Sequence, residues 1–284
     1  MQIFGYYFPI LKRILAGLTA LAALLIARFE PAPLPEYHPD VGVVDFPLLD
    51  ALVRGQGITT DGESFYFSWN LGLTKTDLTG KNIRKQNLIA IPPTLLLKGC
   101  SHIGGISYYD GKIYCAIEDS KVFENLYLAV YDAKTLRLLQ YKAVVLEDHE
   151  FGIPWCAADQ DTGLVYSARR DRITTLNVYD PDTLERTDYL ELEAPVHKVQ
   201  GGEVRDGVLY LAVSREEQAI FAVRLATGQV RKVFGRFLGG AEGEGITILP
   251  MENGAFFHVL DVGENKVNVH LRSYAFDPAS LVWD

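Results

Sequence analysis

The sequence lacks the residues and motifs on which several large protein classes depend. It has only three cysteines and no Cys-x-x-Cys pair, which argues against a zinc ribbon or a thioredoxin-like redox site. It contains no Gly-x-Ser-x-Gly elbow of a serine hydrolase and no Walker-type phosphate loop. Positive charge is also scarce, since the formal net charge is -9 and falls entirely on residues 41–284. We therefore expect no nucleic-acid partner, because an acidic body repels phosphate backbones.

Long apolar runs are absent except near the N-terminus. Residues 14–27 are uncharged and rich in Leu and Ala, although the run is shorter than the roughly 20 residues that span a bilayer comfortably. Lys12 and Arg13 precede this run and Arg28 ends it. A basic patch before an apolar run is typical of a secretory signal or a signal anchor, so residues 1–30 are interpreted as one of these, in helical form. The run has no polar face to put in water, which argues against a buried amphipathic helix of the domain.

A short proline-rich segment follows the apolar run. Residues 31–40 contain four prolines, which favour a stiff, extended tether. The sequence therefore predicts attachment to a membrane through residues 1–30, or secretion, with residues 41–284 outside the cytoplasm. That compartment would allow a disulfide between two of the three cysteines, and the sequence does not say which two.

Turn signals recur along the rest of the chain at a nearly constant distance. Each is an aspartate or asparagine followed within two residues by glycine, between runs rich in aromatic and β-branched residues. Such turns are strong hairpin signals, because Asn and Gly accept the positive φ of tight turns. They lie 45 to 51 residues apart, at Asp61, Asp110, Asp161, Asp206 and Asn253. A second marker of the form Tyr/Phe-Asp-x-x-Thr/Ser-Leu keeps the same frame, at Tyr131, Tyr179 and Phe276.

This repeat predicts an all-β, five-bladed β-propeller of four-stranded antiparallel blades, preceded by the N-terminal apolar helix. The units are expected at 50–98, 99–147, 148–195, 196–238 and 239–284. The last unit ends near the start of its fourth strand, so we expect the run "VGVVDF" from Val41 to Phe46 to pair there and close the ring. Closure removes open sheet edges. A β-sandwich would explain the strands but not their period.

The paired markers resemble those of YVTN-type, NHL-type and quinoprotein-like β-propellers, with "VYDPDTLE" and "DGVLYLAV" as representative segments. The resemblance covers residues 50–284 and implies a fold, not an activity, since such propellers serve as scaffolds, lactonases, phytases and dehydrogenases.

The segment "EGEGIT" at 242–247 also resembles a Glu-Gly-Ile/Leu motif of phytase-like and lactonase-like propellers. In those families a glutamate at the start of an inner strand helps to bind calcium, so the resemblance implies Ca²⁺ as the ion.

Polar residues recur where the inner strand of each predicted blade begins. Inner strands line the central channel of a propeller, and glycines beside these residues let the strands approach one another. The aligned positions are Gln56, His102, Glu150, Gln200 and Glu244, with Glu242 two residues before the last. The segment "HEFGIPW" adds His149 and Trp155 at a blade junction. They form either a pocket with an aromatic wall or a seal between blades.

Three interpretations of this ring remain open. Its residues hold ordered water in the channel, or Glu150 and Glu244, with Glu242, bind Ca²⁺. In the third, His102 or His149 acts as a general base beside such an ion. The first function hypothesis is thus a scaffold that binds a protein or a small molecule at the propeller face. The alternative is a metal-dependent ester, lactone or phosphate hydrolase with His102 as the base.

Separately, "SARRDR" at 167–172 is either a site for an anionic ligand or a solvated loop.

Overall fold

The computed structural model describes residues 37–214, 217–237 and 240–283. In these residues twenty strands form five separate four-stranded antiparallel sheets, which are the five blades of a β-propeller. The predicted fold class is confirmed for this part of the chain. The predicted apolar helix at 1–30 and most of the predicted tether lie outside the described residues.

The first two blades follow each other along the chain. Blade one consists of β2 Ile58–Thr60, β3 Phe65–Trp69, β4 Gly72–Thr76 and β5 Ile83–Asn87. A one-turn helix, α1 Pro93–Leu96, leads to blade two. Blade two consists of β6 His102–Tyr109, β7 Lys112–Glu118, β8 Leu126–Asp132 and β9 Leu138–Ala143.

Blades three and four keep the same order of strands from the axis outward. A 3-10 turn at Leu146–His149 precedes blade three. Blade three consists of β10 Cys156–Ala158, β11 Val165–Ser167, β12 Ile173–Tyr179 and β13 Arg186–Val196. Blade four consists of β14 Val199–Arg205, β15 Val208–Val213, β16 Ala219–Arg224 and β17 Gln229–Gly235.

Blade five closes the ring with a strand from the other end of the chain. It consists of β18 Glu242–Ile248, β19 Ala255–Val262, β20 Asn268–Ala275 and the N-terminal strand β1 Gly42–Pro47. Strand β1 pairs antiparallel with β20, with Val44 opposite Leu271. The predicted closure by the run from Val41 to Phe46 is therefore confirmed. Two further 3-10 turns occur at Ala51–Val53 and Pro278–Ser280.

The repeating turns adopt the conformation that their residues favour. Asp110 and Gly111 have φ values of 46° and 72°, and Asp206 and Gly207 have 51° and 71°. Two-residue hairpin turns of this kind require a positive φ at both positions, which Asp-Gly tolerates. Each such turn joins the inner strand of a blade to its second strand.

The buried apolar side chains of the described residues fall into five clusters, one at each interface between neighbouring blades. Trp155, for example, is fully buried between blades three and four. A single blade has an apolar face on both sides and can bury them only against two neighbours, which explains why the repeat must close into a ring. The three cysteines, Cys100, Cys115 and Cys156, are free and buried in these interfaces.

The last residues of the predicted tether pack on the propeller. The backbone N–H of His38 donates to the carbonyl of Gly235 at 3.0 Å, and His38 Nε2 lies 2.8 Å from the carbonyl oxygen of Ala275. Residues 37–40 therefore contact the outer strand of blade four and the third strand of blade five. In the part of the chain that the structure describes, no helix has the length and apolar character needed to cross a membrane.

Candidate functional site

One end of the propeller carries the sequence-predicted polar residues. The inner strands β6, β14 and β18 begin there at His102, Val199 and Glu242. The connections between blades and the loops between second and third strands also lie at this end, because neighbouring strands of each blade are antiparallel. We call it the mouth face. Function in propellers and other scaffolds is commonly carried by loops that a rigid framework positions.

Just below the mouth face, glycines bring the inner strands into close contact. A Cβ atom on Gly104 would lie 2.1 Å from the carbonyl oxygen of Pro154. One on Gly245 would lie 2.5 Å from the backbone nitrogen of Ile58. A Cβ on Gly105, in blade two, would lie 3.3 Å from the carbonyl oxygen of Gln200, in blade four. The axis is therefore filled by backbone at this level, and the polar groups above it form a shallow floor at the mouth.

His102 is the centre of the first polar group on this floor. Its Nε2 lies 2.5 Å from Gln56 Oε1, and its Nδ1 lies 3.1 Å from Glu118 Oε1. The structure thus brings together Gln56 and His102, two of the residues that the sequence singled out. Both ring nitrogens of His102 are held by protein partners, which fixes the ring and links blade one to blade two.

Glu118 is a part of this group that sequence reasoning missed. It ends β7, the second strand of blade two, and is 1% exposed. Its Oε2 accepts a hydrogen bond from the backbone N–H of Ile153 at 2.8 Å. Gly152, with φ of 107°, makes room for it, because a Cβ there would lie 2.4 Å from Glu118 Oε2. The only signal in the sequence was a glutamate at the end of an otherwise apolar strand.

The second polar group joins blades three, four and five. Gln200 Nε2 donates to Glu242 Oε1 at 3.1 Å, and Arg170 Nη2 approaches Gln200 Oε1 at 3.5 Å. Glu244 is 7% exposed beside them. Burial raises the pKa of its carboxyl well above the usual range, and the charge of Glu242 raises it further, whereas the charges of Arg170 and Lys266 lower it. The sequence predicted the three residues of this group on β14 and β18, noticed Arg170 only as part of the "SARRDR" loop, and gave no indication of Lys266.

A pocket of about 820 Å³ opens beside these carboxyls, between blades five, one and two. We call it the apolar pocket. Its walls are mainly apolar, formed by Leu49, Leu52, Val53, Trp69, Leu71, Val262 and Val269. Its polar lining consists of Gln56, Asn70, Ser101, Glu242, Glu244 and Lys266. Leu49 and Leu52 at its rim are 74% and 61% exposed.

A second pocket, of about 670 Å³, lies on the other side of the axis, where blades two, three and four meet. We call it the arginine pocket. Its lining residues are Phe123, Glu150, Phe151, Arg169, Arg170, Asp171, Arg172 and Lys198. Arg170 lines this pocket and also contacts Gln200 on the polar floor. The polar floor therefore lies between the two pockets and borders both.

His149 and Trp155 do not line either pocket or the axis. His149 is 1% exposed, and its Nε2 lies 3.0 Å from Ser167 Oγ in blade three. Burial lowers the pKa of His149 to about 4, and a hydrogen bond with the carbonyl of Val145 opposes this effect. The structure thus places both residues in the interior, and the contact of His149 Nδ1 with the carbonyl of Val145, at 3.2 Å, lies in the connection that carries Glu150.

Glu150 and Glu244, the expected calcium ligands, are not brought together. Glu150 lines the arginine pocket and pairs with Arg169 Nη1 at 3.1 Å, whereas Glu244 lines the apolar pocket. Within the residues that the structure describes, no three His, Cys, Asp or Glu side chains converge in a way that could hold a metal ion. A Ca²⁺ site needs 6–8 oxygen ligands. The residues at the mouth face therefore do not fit a calcium centre.

A further carboxyl lies on the other side of the glycine contacts. Glu203 on β14 is 5% exposed, and burial raises its pKa well above the usual range, although the hydroxyls of Ser107 and Thr59 lower it. These hydroxyls also accept hydrogen bonds from backbone N–H groups of the next blade, Thr59 from Tyr108 and Ser107 from Ala158, each at 2.9 Å. This layer joins the inner strands of neighbouring blades. Its residues line neither the apolar pocket nor the arginine pocket.

Comparison with known proteins gives likenesses of fold only. No protein-family model matches the chain, and no curated protein matches it. Hydrazine synthase of Kuenenia stuttgartiensis is similar over 81% of this chain and 59% of that chain, with 10% identity and a TM-score of 0.46. A chain in a crystal structure of the mitotic checkpoint complex is similar over 88% of this chain and 99% of that one, with 8% identity and a TM-score of 0.49. At such low similarity neither likeness supports a function.

Proposed function

We propose that the chain is a binding module that holds an apolar side chain of a partner protein in the apolar pocket. The observation that supports this is the pocket itself. Its volume of about 820 Å³ lies in the range of ligand sites, and its mainly apolar wall with a few convergent polar groups is their usual composition. Leu49 and Leu52 at the rim would lose exposed apolar surface on binding, and this is the main source of affinity in protein association.

A site-directed cross-linking experiment tests this proposal. A photo-reactive amino acid at position 52 of the full chain is expected to capture a partner in cells. The matched control is position 189, because Tyr189 on the outer strand of blade three is 57% exposed, similar to Leu52 at 61%. Capture at position 52 should disappear when Trp69 is replaced by Ala. Equal capture at both positions, or capture that is insensitive to Trp69→Ala, would contradict the proposal.

We further propose that the module works outside the cytoplasm, tethered to a membrane or secreted. Support comes from the sequence, where Lys12 and Arg13 precede the uncharged run 14–27. Fractionation of cells that express either the full chain or a version without residues 1–30 tests this. Only the full chain should be found with membranes or in the exported fraction. Equal retention of both versions in the cytoplasm would refute it.

The second candidate function is a hydrolase at the same face. It would use Glu244 of the "EGEGIT" segment as a general acid, in place of the calcium ion that the likeness of this segment to phytase-like and lactonase-like propellers implies. The observation that favours it is the position of Glu244 beside an open pocket. Burial raises the pKa of its carboxyl well above the usual range. A carboxyl with a raised pKa suits a general acid. Turnover of a simple ester that is lost in Glu244→Gln and retained in Glu150→Gln would favour this function over the binding module.

A further inference from the structure

The arginine pocket carries more positive than negative charge, on a chain whose formal net charge is -9. Four cationic and two anionic side chains line it. Glu150 pairs with Arg169 at 3.1 Å, and Asp171 pairs with Lys198 at 2.5 Å. Within the described residues, Arg170 and Arg172 form no ion pair with a carboxylate. Two guanidinium groups in one concave site therefore lack a paired carboxylate, although the charge of Arg170 also acts on Glu244 at the floor.

Both carboxylates of the pocket already accept hydrogen bonds from groups of the protein. Asp171 accepts hydrogen bonds from the backbone N–H groups of Arg172 and Lys198, at 2.9 and 3.3 Å, in addition to the Lys198 ammonium. Arg169 is held by Glu150 and by the carbonyl of Arg172, to which its Nη2 donates at 2.7 Å. These contacts fix the loop 169–172 and leave the guanidinium group of Arg172 available for a ligand. The guanidinium group of Arg170 makes one long contact, of 3.5 Å, with Gln200 Oε1, and its other N–H groups remain for a ligand.

The apolar part of the pocket is fixed by separate contacts. Asp119 accepts hydrogen bonds from the backbone N–H groups of Phe123 and Glu124, at 2.6 and 3.1 Å, and so holds the loop that presents Phe123. The bond between Ile153 and Glu118 anchors the connection that presents Phe151, which is 57% exposed. Two aromatic side chains and two guanidinium groups without a paired carboxylate therefore line the same pocket.

Backbone conformation gives a further indication that this pocket is built for a ligand. Four of its eight lining residues are non-glycine residues with positive φ: Phe123, Phe151, Arg172 and Lys198, at 57°, 65°, 50° and 52°. Such conformations are disfavoured for these residue types and persist where the surrounding structure fixes them, often at ligand sites. In contrast, Asp110 and Asp206 have positive φ because their hairpin turns require it.

We propose that the arginine pocket binds a ligand in which a phosphate or carboxylate group is joined to an apolar group. The planar guanidinium group matches both anions through paired N–H donors, and Phe123 and Phe151 would cover the apolar part. This site is separate from the apolar pocket, so the proposal does not depend on what the apolar pocket binds. It assigns a function to the "SARRDR" loop, for which the sequence alone left two interpretations open.

Calorimetric titration of the full chain tests this proposal. The probes are phenyl phosphate, phenylacetate and inorganic phosphate. At least one of the two aromatic anions should bind saturably and more tightly than inorganic phosphate, and the stronger of the two identifies the anionic group. Arg172→Gln and Arg170→Gln should each weaken binding by roughly ten- to hundredfold, as expected when a charged hydrogen-bond donor is lost. Phe151→Ala should weaken the aromatic anions and leave inorganic phosphate unchanged.

Two further variants serve as controls, one for loss of stability and one for non-specific attraction of anions by positive charge. Arg172→Gly removes the guanidinium at a φ of 50° that glycine adopts readily, so it should lose binding without losing stability. Arg205→Gln removes the same charge at the opposite end of β14, where Arg205 pairs with Asp206 at 3.5 Å, and should leave binding unchanged. No saturable binding of any of the three anions, or equal weakening by Arg172→Gln and Arg205→Gln, would overturn the proposal.

Discussion

The two pockets of the mouth face share a wall but are built from different parts of the blades. The apolar pocket takes Val262 and Val269 from strands of blade five and Trp69 from the end of a strand of blade one, so its wall continues the buried core. The arginine pocket is formed by loop residues, half of them with positive φ. The apolar pocket thus combines strand ends with the connection between β1 and β2, whereas the arginine pocket is formed by loops alone. Four perturbations should separate the two pockets or remove them together.

The largest effect is expected from Gly104→Ala, which should damage both pockets. The added Cβ would lie 2.1 Å from the carbonyl oxygen of Pro154, so the inner strands on which both pockets rest must move apart. Overpacking of this kind is expected to lower the free energy of unfolding by about 3 kcal/mol or more. The matched control is Gly42→Ala on β1, where a Cβ meets no atom within 4 Å. Chemical denaturation of both variants checks this prediction, and equal stability would show that the glycine contacts do not hold the axis.

Acid should affect the arginine pocket more than the apolar pocket, because His149 lies directly before Glu150 and Phe151. Burial lowers the pKa of His149 to about 4 in the folded state, against 6.5 when unperturbed. Unfolding therefore takes up a proton between these values, and stability is lost as the pH falls from about 6.5 to about 4. The full shift corresponds to about 3 kcal/mol.

Denaturation as a function of pH, with His149→Gln as the comparison, measures this effect. The variant should lose less stability than the wild type over the same pH range. As the pH falls to 5, protection from hydrogen exchange, relative to the intrinsic rate at the same pH, should be lost at the amides of residues 150–153 before those of residues 51–55. An identical pH dependence of the two proteins would contradict the assignment of this effect to His149.

A smaller effect, in the opposite direction, is expected from Glu244→Gln in the apolar pocket. Burial raises the pKa of Glu244, so its ionisation in the folded state is disfavoured and stability falls as the pH rises above the ordinary carboxyl range near 4.5. Glutamine cannot ionise, so the variant should be more stable than the wild type at pH 7. We expect a gain of about 1 kcal/mol, or a few degrees in Tm.

Glu150→Gln in the arginine pocket is the matched control for Glu244→Gln. Glu150 is 58% exposed at its side chain and pairs with Arg169 at the surface, so its loss should lower stability by less than about 1 kcal/mol. Thermal denaturation at pH 7 compares the two variants. A Glu244→Gln variant that is less stable than Glu150→Gln would mean that the Glu244 carboxylate is stabilised by its neighbours and not disfavoured by burial.

The smallest perturbation is a change of salt concentration. Binding of an anion to Arg170 and Arg172 should weaken as salt rises from 0.05 to about 0.5 M, because exposed charges are screened within a few ångström at high ionic strength. Binding in the apolar pocket should change little or strengthen slightly, since it depends on burial of apolar surface. Titrations at both salt concentrations check this. The same salt dependence at both pockets would remove the distinction between them.

Much of the fold could be predicted from the sequence because it depends on local and periodic features. The Asp-Gly turns at Asp110 and Asp206 set the hairpins, and the period of 45 to 51 residues set the number of blades. The closing strand β1 followed from a blade that lacked its fourth strand. Each of these features can be read from the order of residues along the chain.

The candidate site could be predicted only in part, because it depends on contacts between units. Gln56 and His102 were found because they start inner strands, and the structure places them in contact. Glu118 was missed because it reaches the floor from a second strand, and Arg170 was noticed only as part of the "SARRDR" loop and was not placed at the floor. His149 was predicted at the mouth, but the 3-10 turn at Leu146–His149 carries it into a blade interface.

Fluorine NMR of the full chain labelled with 5-fluorotryptophan tests the central claim most directly. The chain has three tryptophans, Trp69, Trp155 and Trp283, so three signals are expected, and Trp69→Phe assigns one of them. Trp69 lines the apolar pocket, whereas Trp155 is fully buried between blades three and four. N-acetyl-leucinamide and N-acetyl-phenylalaninamide stand for the apolar side chain of a partner. The account predicts that one or both shift the Trp69 signal saturably, leave the other two in place, and lose this effect in Leu52→Asp. A Trp69 signal that moves with neither probe, or that moves equally in Leu52→Asp, would contradict it.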